Sequence, residues 1–236
     1  MMPEVTADFL RYRLQELGSP EKALAQSRFF KTGKGEYAEN DCFWGVSVPQ
    51  VRAVAKEYKD IPLPVVAELL KDPVHECRLL ALLICVARFP KADEALRTDI
   101  YKLYLENTCY INNWDLVDLS AYQIVGEYLR DKTREPLVRL SCSSLLWEQR
   151  ISIVATWKYI REGRFDDTLQ IADRLLHHPH DLIQKAVGWM LREVGKKDKS
   201  CLTDFLSVCY KTMPRTMLRY AIEKFLPEER AFYLKK

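Results

Sequence analysis

Apolar residues recur three and four positions apart along nearly the whole chain, the spacing that lines one face of an α-helix. The pattern predicts helices over Glu21–Arg28, Pro49–Lys59, Pro64–Lys71, Val74–Arg88, Ala92–Glu106, Asn113–Leu129, Arg134–Leu146, Glu148–Arg161, Asp166–His177, Asp181–Gly195, Leu202–Tyr210 and Thr216–Phe225. Breakers separate many of them: Pro62 with Pro64, Asp72 with Pro73, Phe89 with Pro90, Gly163, His178 with Pro179, and Met213 with Pro214. No linker or low-complexity segment interrupts the array, so residues 1–236 are expected to form a single domain.

In five helices one charged residue precedes a dense apolar run: Arg78-LLALLICVA, Asp118-LSAYQIVG, Arg150-ISIVATW, Lys185-AVGWML and Arg219-YAIEKF. These anchors are 40, 32, 35 and 34 residues apart. Periods of that size built from helix pairs predict an all-α fold, an α-solenoid of HEAT-like repeats in which neighbours cover each other's apolar faces. If the five helices are equivalent, Arg78, Asp118, Arg150, Lys185 and Arg219 line one surface. Four cations and one carboxylate in a row suit a phosphate backbone. The alternative is that they are solvated positions flanking a core run.

The segment from Phe29 to Trp44 breaks the rhythm, with aromatics at both ends and Thr32-Gly33-Lys34-Gly35 near its start. A short β-hairpin or an ordered loop is expected there. Lys31 and Lys34 beside glycines are candidates for phosphate contact, but no GK[ST] follows and nucleotide hydrolysis is not supported.

Composition narrows the classes. With 8 Gly and 11 Pro in 236 residues the chain lacks the turns an all-β fold requires. The seven cysteines have no CxxC spacing and point to a reducing compartment. No apolar run is long enough to span a bilayer, so a cytoplasmic protein without membrane contact is expected. Net charge is only +3, which argues against a strongly basic nucleic-acid binder until its distribution is read. Gln184 to Lys236 holds 12 Lys and Arg against 6 Asp and Glu, whereas the preceding 183 residues carry a net −3. A polyanionic partner for the basic part fits that asymmetry.

The stretch Asn112-Asn-Trp-Asp-Leu-Val-Asp118 carries the most suggestive chemistry. Trp114 and Asp118 stand at i and i+4 on one helical face. Asp118, the one acid among the anchors, is suited to stabilise positive charge or orient water, and an indole beside it adds a π face that attracts cations. Trp189 follows Lys185 by one turn in the same way; for each indole, ordinary packing is the bland alternative. Asp115 points about 100° away from Trp114 and is expected to cap the helix or face solvent. His177, His178 and His180 do not converge as metal ligands do and read as an inter-helix turn, so no metal is expected.

The stretches FFKTGKGEY, FWGVSVPQVRAVAKEY, NNWDLVDLSAYQIVG, WEQRISIVATW and IQKAVGWMLREVGK together resemble the AlkD-like DNA alkylation repair family, over roughly Phe29 to Phe225. The most specific parts are W-x-x-x-D, W-x-x-R-x-x-I and K-A-x-G-W-x-L-R-E. The resemblance implies a right-handed solenoid of HEAT-like repeats cradling double-stranded DNA on its concave face, as a monomer. It implies a DNA N-glycosylase that removes N3- and N7-alkylated purines without extruding the base and without cofactor or metal. Trp114 and Trp189 would then contact the deoxyribose of the damaged nucleotide, Asp118 would be the catalytic carboxylate, and Arg150 would bind phosphate beside it. Two departures from the glycosylase-type members stand out: Lys31 to Asn40 is longer than the corresponding turn, and Gln149 and Gln184 replace expected basic residues. They leave a non-catalytic binder of branched or damaged DNA, using a basic hairpin, as an alternative. A protein-interaction scaffold is the other.

Overall fold

The computed structural model describes residues 5–235. The fold is all-α and HEAT-like, and among the described residues there is no strand beyond one isolated bridge. The chain divides between Leu116 and Val117 into two compact units, a division that falls inside helix Trp114–Ala121.

The first unit is built around helix His75–Arg88. From His75 to Cys85 every residue is buried, as expected of a helix covered on all sides. Helix Val48–Glu57 supplies Val51, Val54 and Ala55 against it, and helix Leu63–Leu70 supplies Val66, Leu69 and Leu70. Helix Ala7–Glu16, which the sequence reading omitted, packs Leu10 and Leu14 on the same pair and is capped by Thr6, whose hydroxyl accepts the Phe9 N–H at 3.2 Å. Its apolar stripe is only three residues long, too short to register as a period.

A buried carboxylate organises the entry to this unit. Glu76 is 1% exposed, and its side chain accepts the backbone N–H groups of Trp44, Gly45 and Val46 at 2.8–3.2 Å. Gly45 has φ +81°, and a Cβ there would lie 2.1 Å from the Ser19 carbonyl oxygen, so no other residue fits this turn. Replacing Glu76 by Ala leaves three donors without partners in a dry place. The expected loss is about 3–5 kcal/mol of unfolding free energy, measured by urea titration. A loss below about 1 kcal/mol would show that water takes over the three bonds.

The second unit stacks helix pairs. Helix Glu135–Ser141 packs on Leu146–Ala155, which packs on Asp181–Lys197, which in turn packs on Lys199–Cys209 and Arg215–Ala221. Glycine permits close approach between the last of these pairs: a Cβ on Gly188 would lie 2.5 Å from the Met217 carbonyl oxygen. The long helix expected over Arg134–Leu146 stops at Ser141, because Ser143 offers its hydroxyl to the Leu145 N–H at 3.0 Å and competes with the helical ladder. Thr156 breaks the helix expected over Glu148–Arg161 in two, returning its hydroxyl to the Ile153 carbonyl at 2.7 Å. Helix Pro227–Leu234 buries none of its residues and gave no sequence signal.

The segment from Phe29 to Trp44 is a loop of successive turns, and the hairpin alternative is corrected. Its one ladder-like contact runs elsewhere: Cys42 bridges Val74, with the His75 N–H donating to the Cys42 carbonyl at 2.9 Å. Glu36 and Glu39 staple the loop by accepting the Gly33 and Gly35 N–H groups, each at 2.8 Å. These two carboxylates offset Lys31 and Lys34, so the loop is not a basic element.

Candidate nucleic-acid interface

The anchors keep the register read from the sequence but differ in burial. Arg78, Asp118, Arg150, Lys185 and Arg219 all fall at the second turn of their helices. Lys185 is partly exposed and reaches Asp181 one turn back at 2.7 Å, while Arg219 is exposed. Arg78 and Arg150 are buried, at 3% and 5% exposure, and do not project into solvent as the stripe supposed. The physical reason is the same in both cases: a carboxylate and a backbone carbonyl draw the guanidinium inward. Arg78 donates to Asp41 at 2.6 Å and to the Asp72 carbonyl at 2.8 Å. Lys31 and Lys34 are exposed, as a phosphate contact requires.

In the second unit Arg150 holds Asp118 in a two-pronged pair. Its Nε and Nη2 donate to the two carboxylate oxygens, each at 2.8 Å, and Nη1 donates to the Leu182 carbonyl at 2.5 Å. Three elements thereby converge: the helix carrying Asp118, the helix carrying Arg150, and the start of Asp181–Lys197. The Asp118 side chain retains 20% exposure against 6% for Arg150, so the carboxylate is the member of the pair that meets solvent. A carboxylate has about four lone-pair directions, and two serve Arg150. Directly after helix Trp114–Ala121 the backbone makes a π-helical turn, Tyr122–Gly126, a feature that recurs at functional sites.

Trp189 ends an aromatic row that the sequence reading did not assemble. Tyr122 and Trp157 have ring centroids 4.7 Å apart, and Trp157 and Trp189 are edge to face at 5.1 Å. Arg161 lies over the Trp157 ring at 4.8 Å and within 5.5 Å of Tyr122. A usable signal was present: Tyr122 follows Asp118 by four residues as Trp189 follows Lys185.

In the first unit Trp114 is half-buried. It stacks on Phe30 at 5.4 Å, and Phe29, 65% exposed, meets its ring edge on at 5.8 Å. Phe30 and Phe43 stack in turn on each other and on His75. Beneath this shelf lies an ionic network with no counterpart in the sequence reading. His75 reaches Asp115 from Nε2 at 2.8 Å and Asp41 from Nδ1 at 3.3 Å, and Asp41 also receives Arg78. Asp115 therefore turns inward to His75, correcting its expected place at a cap or in solvent. The bridge between Cys42 and Val74 explains the geometry, because it sets Asp41 against the first turn of helix His75–Arg88.

Burial opposes a charge on His75, but Asp115 and Asp41 outweigh it and raise its pKa from 6.5 to about 9. For Asp41 burial acts upward, and the His75 and Arg78 contacts overcome it and lower the pKa. A group whose pKa is raised on folding stabilises the fold below its unfolded pKa and loses that contribution as pH rises through the folded value. Unfolding free energy should therefore fall by about 3 kcal/mol between pH 6.5 and 9. His75→Gln should flatten that slope in urea titrations; an unchanged slope would remove His75 as its source.

No curated protein matches the chain significantly. Among solved structures the fold is similar to that of a protein described as a predicted DNA alkylation repair enzyme from Enterococcus faecalis. The TM-score is 0.68 at 15% sequence identity, over 89% of this chain and 97% of that one. The sequence profile of the DNA alkylation repair enzymes matches residues 10–225. With nearly its whole length matched by that profile, the chain belongs to the DNA alkylation repair enzyme family.

Proposed function

We propose that the protein is a DNA N-glycosylase that hydrolyses the glycosidic bond of purines alkylated at N3 or N7 in double-stranded DNA. The observation that carries this reading is Asp118, a partly exposed carboxylate fixed in orientation by a buried arginine. An alkylated purine is already cationic. When the bond from N9 to C1′ breaks, its electron pair goes to the base, which leaves neutral, and positive charge develops on the sugar. Water then adds to C1′ and loses a proton, giving an abasic site and a free base. What such a reaction asks of a protein is a preorganised negative charge at the sugar, and Asp118 supplies it while orienting the water. In this reading the indole faces of Trp114 and Trp189 meet the growing positive charge on the deoxyribose. Lys31, Lys34, Lys185 and Arg219 contact phosphates, and Arg150 acts through Asp118 as a positioning residue. The leaving base needs no proton, so no pocket holding an extruded base is required, and neither is a metal.

The test is release of 3-methyladenine and 7-methylguanine from methylated duplex DNA with protein in molar excess. Release above the spontaneous rate is expected; none above it would overturn the assignment.

A further inference from the structure

At the far end of the second unit, Tyr210, Lys211, Arg215, Phe232, Tyr233 and Lys235 line an open hollow of about 650 Å³. Its walls are aromatic. Tyr210 and Phe232 lie roughly parallel with centroids 6.0 Å apart, and Tyr233 stands edge on to both at 5.3 Å. Phe232 is 57% exposed and presents an uncovered ring. The charged residues of the rim are all cations: Lys211, Arg215 and Lys235. Among the described residues none of the three has a carboxylate within ion-pair distance; Arg215 spends one N–H on the Leu234 carbonyl at 2.6 Å. Acidic residues stand on the other side of the same rings, where Glu228 and Glu229 line a neighbouring hollow with Phe232 and Tyr233. Of those two carboxylates Glu229 is ion-paired to Lys199, whereas the cations of the first hollow face no carboxylate among the described residues.

Among the described residues this hollow, unlike the proposed site, is lined by no carboxylate and no indole, and the proposed base release does not use it. Aromatic faces stack bases of any sequence, and adjacent cations track the phosphates between them; together they form the elements of a single-strand binding site. The volume falls in the range of small-ligand pockets, room for a nucleotide rather than a duplex. The geometry points to a second nucleic-acid site here, one that takes an unpaired nucleotide of a DNA strand. Its base stacks on Phe232 and its phosphate lies between Lys211 and Lys235. The inference rests on DNA as the substrate class and not on base release.

The probe is a single-stranded octathymidylate carrying one 5-iododeoxyuridine, irradiated with the full chain and mapped by peptide mass spectrometry. Crosslinks are expected at Tyr210, Phe232 or Tyr233. Phe232→Ala, at an exposed position, should weaken binding of the octamer roughly tenfold. Lys211→Glu with Lys235→Glu should reduce the salt dependence of that binding. Crosslinks found only elsewhere, or octamer affinity unchanged in Phe232→Ala, would overturn the site, as would displacement by a phosphotyrosine peptide but not by unlabelled octathymidylate. Release of methylated bases by Phe232→Ala at saturating protein separates the two readings. Crosslinking without release from the parent protein sinks the glycosylase alone, and release without crosslinking sinks this site alone.

Discussion

Replacing Asp118 by Asn is expected to lower release of 7-methylguanine from methylated duplex DNA by roughly two to three orders of magnitude. That is the scale of removing one preorganised electrostatic group from a reaction centre. Asparagine keeps the shape and one oxygen to accept a bond from Arg150, but not the charge that the developing sugar cation requires. The substitution has a structural cost as well. Arg150 is almost wholly buried and loses its counter-charge, and about 2 kcal/mol of stability should go with it. Thermal unfolding separates the two effects, because a protein still folded at the assay temperature cannot owe a hundredfold loss to denaturation. Affinity for unmodified duplex should hold or rise, since a carboxylate facing a polyanion repels it. Release within about threefold of the parent would remove Asp118 from the chemistry.

The helical period carries the fold class because most of the helices bury one face on a neighbour, and burial is what the spacing of apolar residues records. The anchors illustrate both the reach and the limit of that signal. Their shared register survives, each at the second turn of its helix, since register is set by local period. Their environment is set by residues remote in sequence. Arg78 is drawn inward by Asp41, 37 positions away in a loop without periodicity. His75 and Asp115 are 40 positions apart, and nothing in either neighbourhood announces the other. Asp118 and Arg150 were both legible as candidates, but as parallel members of a stripe. That they form a pair follows from the stacking of successive repeats, which a one-dimensional pattern does not encode.

The pairing changes what is expected of Arg150. An arginine that contacts phosphate contributes to binding of every duplex, and its loss weakens affinity uniformly and reduces the salt slope by about one. A buried arginine that orients a carboxylate contributes nothing to that slope. Arg150→Lys distinguishes the roles, because lysine keeps the charge but presents a point in place of a planar fork. It cannot bridge both Asp118 oxygens while also reaching the Leu182 carbonyl, so Asp118 loses its fixed orientation. Base release should fall roughly ten- to a hundredfold, the penalty for a catalytic group misplaced by about an ångström. Duplex affinity and its salt dependence should stay at parental values. The effects of Arg150→Lys and Asp118→Asn on release should then be far from additive, because a group that acts only through a carboxylate has little left to contribute once that carboxylate is gone. A reduced salt slope with undiminished release would return Arg150 to the phosphate backbone, and additive losses would give it a part of its own in the reaction.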